Sequence, residues 1–376
     1  MGSRAEAVTA QQKLFEVEQV TLTLNDRFLV PPFSALDARA GYWQNRKRDW
    51  LTLGIKSELG RDAGLLGFES FTSDAGECPT CGGKGLSMET GKKCHNCGGT
   101  GIQYGKRGGH QTMHTTSVFD PVLCEVVYRW FCPEGGTVLD PFAGGSVRGI
   151  VAGALGRGYL GVDLRLEQVE SNYVQQKVIG ARHRLEPLPE WVVADSRTLP
   201  EVVGGHKFDA LFTCPPYYDL EQYSDDPRDL SNAGSYADFS TAHYEIIHHA
   251  VAALHTDSFA VWVVGEVRGK DGHYVGLVPH TIHAFERAGC QFYNEAILLT
   301  MLGTAPVRVS SQFGGGRKLG KVHQNVLVFV KGDAKRAAAK VPVEEVAVES
   351  GGAVWRADAT AEVPATGEVD LFDGEA

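Results

Sequence analysis

Asp209-Ala210-Leu211-Phe212-Thr213-Cys214-Pro215-Pro216-Tyr217-Tyr218 decides how the rest of the chain is read. Its first half is an apolar run that reads as a buried strand. Two prolines then stop the ladder, because neither donates a backbone hydrogen bond and each fixes its own φ. The chain therefore leaves a sheet at Cys214 with two aromatic residues in a loop. Open α/β sheets bind ligands in loops at the carboxyl ends of their parallel strands.

Working outward, Thr137-Val138-Leu139-Asp140-Pro141-Phe142-Ala143-Gly144-Gly145-Ser146 reads as strand, Gly-rich turn and helix start. Tyr159-Leu160-Gly161-Val162-Asp163-Leu164 reads as a second strand ending in a carboxylate, and Trp191-Val192-Val193-Ala194-Asp195-Ser196 as a third. Further strands are expected at 259–267, 292–300 and 325–330, and helices at 123–131, 146–156, 166–180, 236–255 and 277–289. Strands alternating with helices predict an α/β fold with a doubly wound, mostly parallel sheet.

These stretches resemble the S-adenosylmethionine-dependent DNA methyltransferases that modify exocyclic amino groups of adenine (N6) or cytosine (N4). Asp140-Pro141-Phe142-Ala143-Gly144-Gly145 is similar to their cofactor motif D-P-F-x-G-x-G, and Cys214-Pro215-Pro216-Tyr217 to their catalytic motif of Asp, Asn or Ser before Pro-Pro-Tyr. The resemblance covers about residues 110–332, with His323 to Lys331 as the final antiparallel strand. It implies a Rossmann-like class I methyltransferase domain and a DNA substrate whose target base is flipped out of the duplex. DNA methylation of the restriction–modification kind is the implied activity. An RNA or other amine substrate is the runner-up, and a catalytically inactive DNA-binding protein of the same fold is the third reading.

Within that resemblance each residue has an implied role. Gly144 and Gly145 let the backbone approach the cofactor closely. Asp140 acts through the turn or through the ligand's ammonium. Asp163 either accepts from the ribose hydroxyls or caps a helix, and Asp195 either accepts from the adenine amino group or caps a helix. Phe119 and Asp120, ahead of helix 123–131, are candidates to close over the methionine end. The side chain opening the catalytic motif and a carbonyl of the following proline draw the amine lone pair back onto nitrogen. Tyr217 stacks on the flipped base. Cys214 departs from the pattern, because sulfur accepts hydrogen bonds more weakly than an Asp or Asn oxygen. The departure leaves the target base open and allows a slow enzyme. Cys124 and Cys132 have no ligand spacing and read as core.

A second strong signal is Cys78-Pro79-Thr80-Cys81-Gly82-Gly83-Lys84-Gly85, answered by Cys94-His95-Asn96-Cys97-Gly98-Gly99-Thr100-Gly101. Each is a C-x-x-C-x-G-x-G unit. Together they supply the thiolates of Cys78, Cys81, Cys94 and Cys97 to a tetrahedral Zn(2+), a closed and hence structural site. The units resemble the cysteine-rich zinc modules of J-protein chaperones.

The chain has 376 residues, enough for one large domain with extensions. Its 43% hydrophobic content fits a globular protein. A polar N-terminus and no apolar run of bilayer length predict a cytoplasmic protein. A net charge of -10 argues against a uniformly basic nucleic-acid binder. Basic residues nonetheless cluster at 46–48, 92–93, 106–107 and 317–318. The expected organisation is a disordered start (1–14), an N-terminal segment (15–77), the zinc module (78–101), the catalytic domain (110–332) and a disordered acidic tail (333–376). In the N-terminal segment, Tyr42, Trp43 and Trp50 either interleave with the basic residues to meet nucleic acid or pack under the domain while the arginines face water. Residues 308–321 are expected as a Gly-rich basic loop that either approaches DNA or stays mobile. Residues 219–226 form either a lid or a solvated helix start. Glu368-Val369-Asp370-Leu371-Phe372 is similar to peptides that dock on bacterial sliding clamps, with Glu where such peptides carry Gln.

Overall fold

The computed structural model describes residues 24–56, 75–77, 102–104, 119–300 and 305–342. In chain order the elements are α1 (Leu24–Phe28), β1 (Ala35–Asp37), α2 (Gly41–Thr52), β2 (Ala75–Glu77), β3 (Ile102–Tyr104), α3 (Pro121–Phe131), β4 (Thr137–Asp140), α4 (Val147–Ala154), β5 (Gly158–Asp163), α5 (Leu166–Gly180) and β6 (Glu190–Val193). They continue with α6 (Leu199–Val203), β7 (Phe208–Thr213), α7 (Tyr236–Ala252), β8 (Leu254–Val264), α8 (Leu277–Arg287), β9 (Gln291–Leu299), α9 (Ala305–Gly316), β10 (His323–Lys331) and α10 (Ala334–Ala339).

Eight strands form one sheet in the order β1-β9-β10-β8-β7-β4-β5-β6. The neighbours pair in parallel except β10, which runs antiparallel to both β8 and β9. Strands β7 and β8 carry near-continuous apolar runs because both faces are covered. One apolar cluster packs α3 and α4 beneath the sheet around Leu123, Val126, Ile150 and Phe212. The other packs α7 and α8 above it around Phe239, Ile246, Trp262 and Phe285.

The strand order reverses at β4. From there β5 and β6 run to one side and β7 and β8 to the other. Val138 pairs with Ala210 and Leu139 with Leu211, so β4 and β7 are direct neighbours. Their carboxyl ends, Asp140 and Thr213, open side by side into the glycine turn and the diproline corner. This is the switch point at which an open α/β sheet parts its loops and leaves a crevice.

Two expectations change and one choice is decided. Residues 24–56 pack into the domain. β1 joins the sheet edge against β9, with Leu36 opposite Leu298. Trp43 and Trp50 are buried as one reading held, and Arg46, with its side chain 37% exposed, also reaches inward. It forms a two-pronged bond to the buried Glu125 carboxylate at 2.8 and 2.7 Å, which Trp50 Nε1 also meets at 2.6 Å. Of the loop expected at 308–321, residues up to 316 belong to helix α9, with proline tolerated in its first turn, while 317–321 lie outside any helix or strand. The fold also continues past 332. Asp333 caps α10 through Arg336 N, and Arg336 returns to Asp257 at 2.7 Å.

Candidate functional site

A cavity of about 850 Å³ lies over the carboxyl edge of the sheet, a size that suits a nucleoside-like ligand together with a second ring. It brings together Phe119, Asp120, Pro141, Phe142, Ala143, Gly144, Gly145, Asp163, Asp195, Cys214, Pro215, Pro216 and Tyr217. Residues some 75 apart in sequence thus share one chamber because β4 and β7 are adjacent.

Asp140 is the exception. It is fully buried and does not line the cavity. Oδ1 accepts from Phe142 N at 3.1 Å and Thr213 Oγ1 at 2.5 Å, while Oδ2 accepts from Arg148 Nε at 2.5 Å and Tyr159 Oη at 2.6 Å. Of the two roles open to it, the turn is the one its bonds serve. It joins the glycine turn, the first turn of α4 and the end of β7 at one point. Arg148 completes the arrangement by donating to the Phe142 and Ala143 carbonyls and standing 4.4 Å from the Phe119 ring centre. Burial opposes the Arg148 charge, but the Asp140 carboxylate more than compensates and raises the guanidinium above its ordinary value.

The turn itself needs glycine at one position. Gly144 has φ +49°, and a Cβ there would meet nothing within 4 Å. It points into open space, so the requirement is conformational rather than steric. Its N–H donates to Asp163 Oδ2 at 2.8 Å, and its carbonyl accepts from Asn172 Nδ2 at 2.8 Å. Asp163 accepts through Oδ1 from Arg165 N at 2.9 Å. Each Asp163 oxygen therefore keeps one acceptor direction, and burial pushes its carboxyl above the usual range. Asp195 caps the short 3-10 turn Ser196–Thr198 and is gripped by Arg197. Burial raises its pKa, yet the Arg197 bonds outweigh it and hold the carboxyl below its ordinary value.

At the opposite end, Cys214 is half-buried and its Sγ lies 3.4 Å from Tyr217 Oη. Burial pushes the thiol up to about 11, against the Arg148 charge and the Tyr217 hydrogen bond. It is a neutral thiol at physiological pH.

Sequence reasoning passed over part of the wall. Gln44 and Lys47 of α2 line the cavity, and Lys47 Nζ bonds Asp120 Oδ2 at 3.0 Å. Their signal was the basic run 46–48, which lacked a partner until α2 was placed against α3. Glu266, Arg268, Tyr274, Lys321 and Gln324 line the Tyr217 end. Burial lowers the Lys321 ammonium from its ordinary value, and the Arg268 guanidinium lies 4.0 Å over the Tyr274 ring. Leu220, Glu221 and Tyr223, from the stretch with no settled role, also line the cavity.

Cys78, Cys81, Cys94 and Cys97 lie outside the described residues, as does the segment 368–372. The strands that bracket the cysteines are described: β2 and β3 pair antiparallel, Glu77 opposite Ile102. Among the described residues, no group of three or more His, Cys, Asp or Glu could hold a metal ion, and no helix is long and apolar enough to cross a membrane.

No known family profile matches the sequence, and no curated protein matches it. Solved structures similar in fold include TrmN from Thermus thermophilus, at 17% identity and a TM-score of 0.38 over 57% of this chain and 49% of that one. The chain thus spans about half the length of TrmN. Magnesium protoporphyrin IX methyltransferase (ChlM) from Synechocystis PCC 6803, with bound SAM, gives 13% identity and 0.36 over 56% of this chain and 79% of that one. Precorrin-6y C5,15-methyltransferase from Geobacter metallireducens gives 13% and 0.36 over 57% and 90%. Likeness at this level says nothing of substrate or activity. Within the eight-stranded sheet β10 is the one antiparallel strand, and the order β6-β5-β4-β7-β8-β10-β9, with β1 added at the edge, is that of the Rossmann-like class I methyltransferase fold.

Proposed function

We propose that the protein transfers a methyl group from S-adenosylmethionine to the exocyclic amino group of adenine or cytosine in DNA. The observation that carries this reading is the shared cavity, lined at one end by the Gly144-Gly145 turn and at the other by the Cys214-Pro215-Pro216-Tyr217 corner. The glycine end fits the cofactor. Gly144 leaves the space a side chain would fill, and Asp163 keeps free acceptor directions beside it. When bound, the cofactor supplies an electrophilic methyl group on a sulfonium.

The chain's own work is positioning. Asp163 accepts from hydroxyls of the bound nucleoside. Pro215 and Pro216 fix the corner without using N–H groups. Tyr217 offers its ring to a flat base, and holding the two reactants in line supplies much of the acceleration. A thiol kept neutral by burial is no nucleophile, which supports direct attack by the amine over a covalent step through Cys214. Zinc held by Cys78, Cys81, Cys94 and Cys97 is structural in this reading. Metal analysis of the purified protein should find one zinc per chain, lost on Cys78→Ser.

Transfer of tritiated methyl from S-adenosylmethionine tests the reaction. Incorporation into duplex DNA, abolished by Tyr217→Ala, is expected. Incorporation into RNA alone would move the substrate to the runner-up, and intact cofactor binding without transfer would leave a DNA-binding protein. A mechanism-based cytosine analogue should trap no covalent adduct.

A further inference from the structure

Tyr217 is held on three sides. Behind the ring lies Gly265, just beyond β8. A Cβ built there would come 3.0 Å from Tyr217 Cε2 and 3.4 Å from Cδ2, so a side chain at 265 would displace the ring. At the tip, Gln324 Nε2 donates to Tyr217 Oη at 3.0 Å. Beside the same oxygen lies Cys214 Sγ at 3.4 Å. Asn325 pairs with Val264 across the antiparallel β10–β8 ladder, so Gln324 and Gly265 follow at the same end of neighbouring strands. The backing and the tip contact are thus set by one piece of strand register.

A phenol has a single proton. The Gln324 N–H takes an acceptor direction on Oη and leaves the O–H to find another partner. The sulfur of Cys214 is beside it. We propose that Gln324 is a positioning residue for the catalytic corner: by donating to Tyr217 it turns the phenol O–H onto Cys214 Sγ and holds one ring face open to the cavity. This rests on the function read above and deepens it. With its hydroxyl engaged at both ends, Tyr217 recognises substrate through its ring face. That suits a planar heterocycle and is indifferent to which base it is, because every base has a π-face. Choice between bases then falls to the other residues lining that end of the cavity.

A double-mutant cycle with a spectroscopic arm tests this. Gln324→Leu removes the donor, and Gln324→Glu keeps the shape without it at neutral pH. Each should lower kcat roughly tenfold, the worth of about one hydrogen bond. In the Tyr217→Phe background the same changes should add less than about twofold, because the partner is already gone. Losses that multiply in full across the two backgrounds overturn the proposal, since they would come from somewhere other than this bond.

The second arm needs no turnover. In protein carrying ¹³Cζ-labelled tyrosine, the Tyr217 resonance is identified by its loss in Tyr217→Phe. It should shift in both Gln324→Leu and Gln324→Glu, and an unmoved resonance overturns the proposal. If the wild-type protein transfers no methyl group to any nucleic acid, the functional reading fails while this arm still decides the role of Gln324.

Discussion

Replacing Asp140 by Asn should cripple the fold before it affects any ligand. The carboxylate is fully buried and accepts from Phe142 N, Thr213 Oγ1, Arg148 Nε and Tyr159 Oη. An amide in its place keeps one accepting oxygen and turns an NH₂ toward two of those four donors. The larger loss is charge. Arg148 is itself nearly all buried, and its ion pair with Asp140 spans 2.5 Å. Breaking a buried pair on one side costs about 3–5 kcal/mol, a large part of the ~5–15 kcal/mol that holds a domain together. At about 2–4 °C per kcal/mol for a domain of this size, Tm should fall by roughly 10 °C. Calorimetry and urea unfolding read this directly. Asp140→Asn combined with Arg148→Met should be less damaging than Asp140→Asn alone, since the orphaned charge is the main cost. A shift under about 1 kcal/mol, or a double variant worse than the single, would refute the reasoning.

Alkylation of Cys214 by iodoacetamide should keep accelerating as pH rises toward about 11, because burial lifts the thiol to that value; a plateau near the ordinary 9 would contradict the burial. His243 is fully buried, neither ring nitrogen has a hydrogen-bond partner among the described residues, and burial takes its pKa down to about 3 from 6.5. The unfolded chain therefore binds the extra proton between those values, so stability present above 6.5 is lost as pH falls toward 3, by about 1.4 kcal/mol per pH unit. His243→Phe should flatten that slope in urea unfolding between neutral pH and about pH 5, and an unchanged slope would place the acid sensitivity elsewhere. Gly144→Val should cost about 1–2 kcal/mol through the left-handed backbone alone and weaken cofactor binding by roughly tenfold. Titration calorimetry with S-adenosylmethionine checks it, and full affinity would deny the turn its role as a cradle.

Much of this was legible because hydrophobic period and punctuation agreed. Helix 166–180 is found with those bounds, and the strand His323–Lys331 runs antiparallel as expected. Both motifs fall at strand ends because Pro and Gly mark where a ladder must stop. Local pattern fails where partners are distant. β1 is three residues long and exists only because β9 offers an edge. The glycines at 314–316 suggested a loop, yet they form the end of helix α9. Asp140 stood between the turn and the ligand's ammonium, and only its four buried donors assign it to the turn. Gln324 reads as an ordinary strand residue until the register of β10 against β8 sets it beside Tyr217.

Nucleoside mass spectrometry of DNA from cells expressing the protein or its Tyr217→Ala variant puts the shared chamber to its hardest trial. The account predicts N6-methyladenine or N4-methylcytosine with the native chain and neither with the variant. A product methylated on ring carbon, such as 5-methylcytosine, or equal amino methylation from both chains, would contradict it.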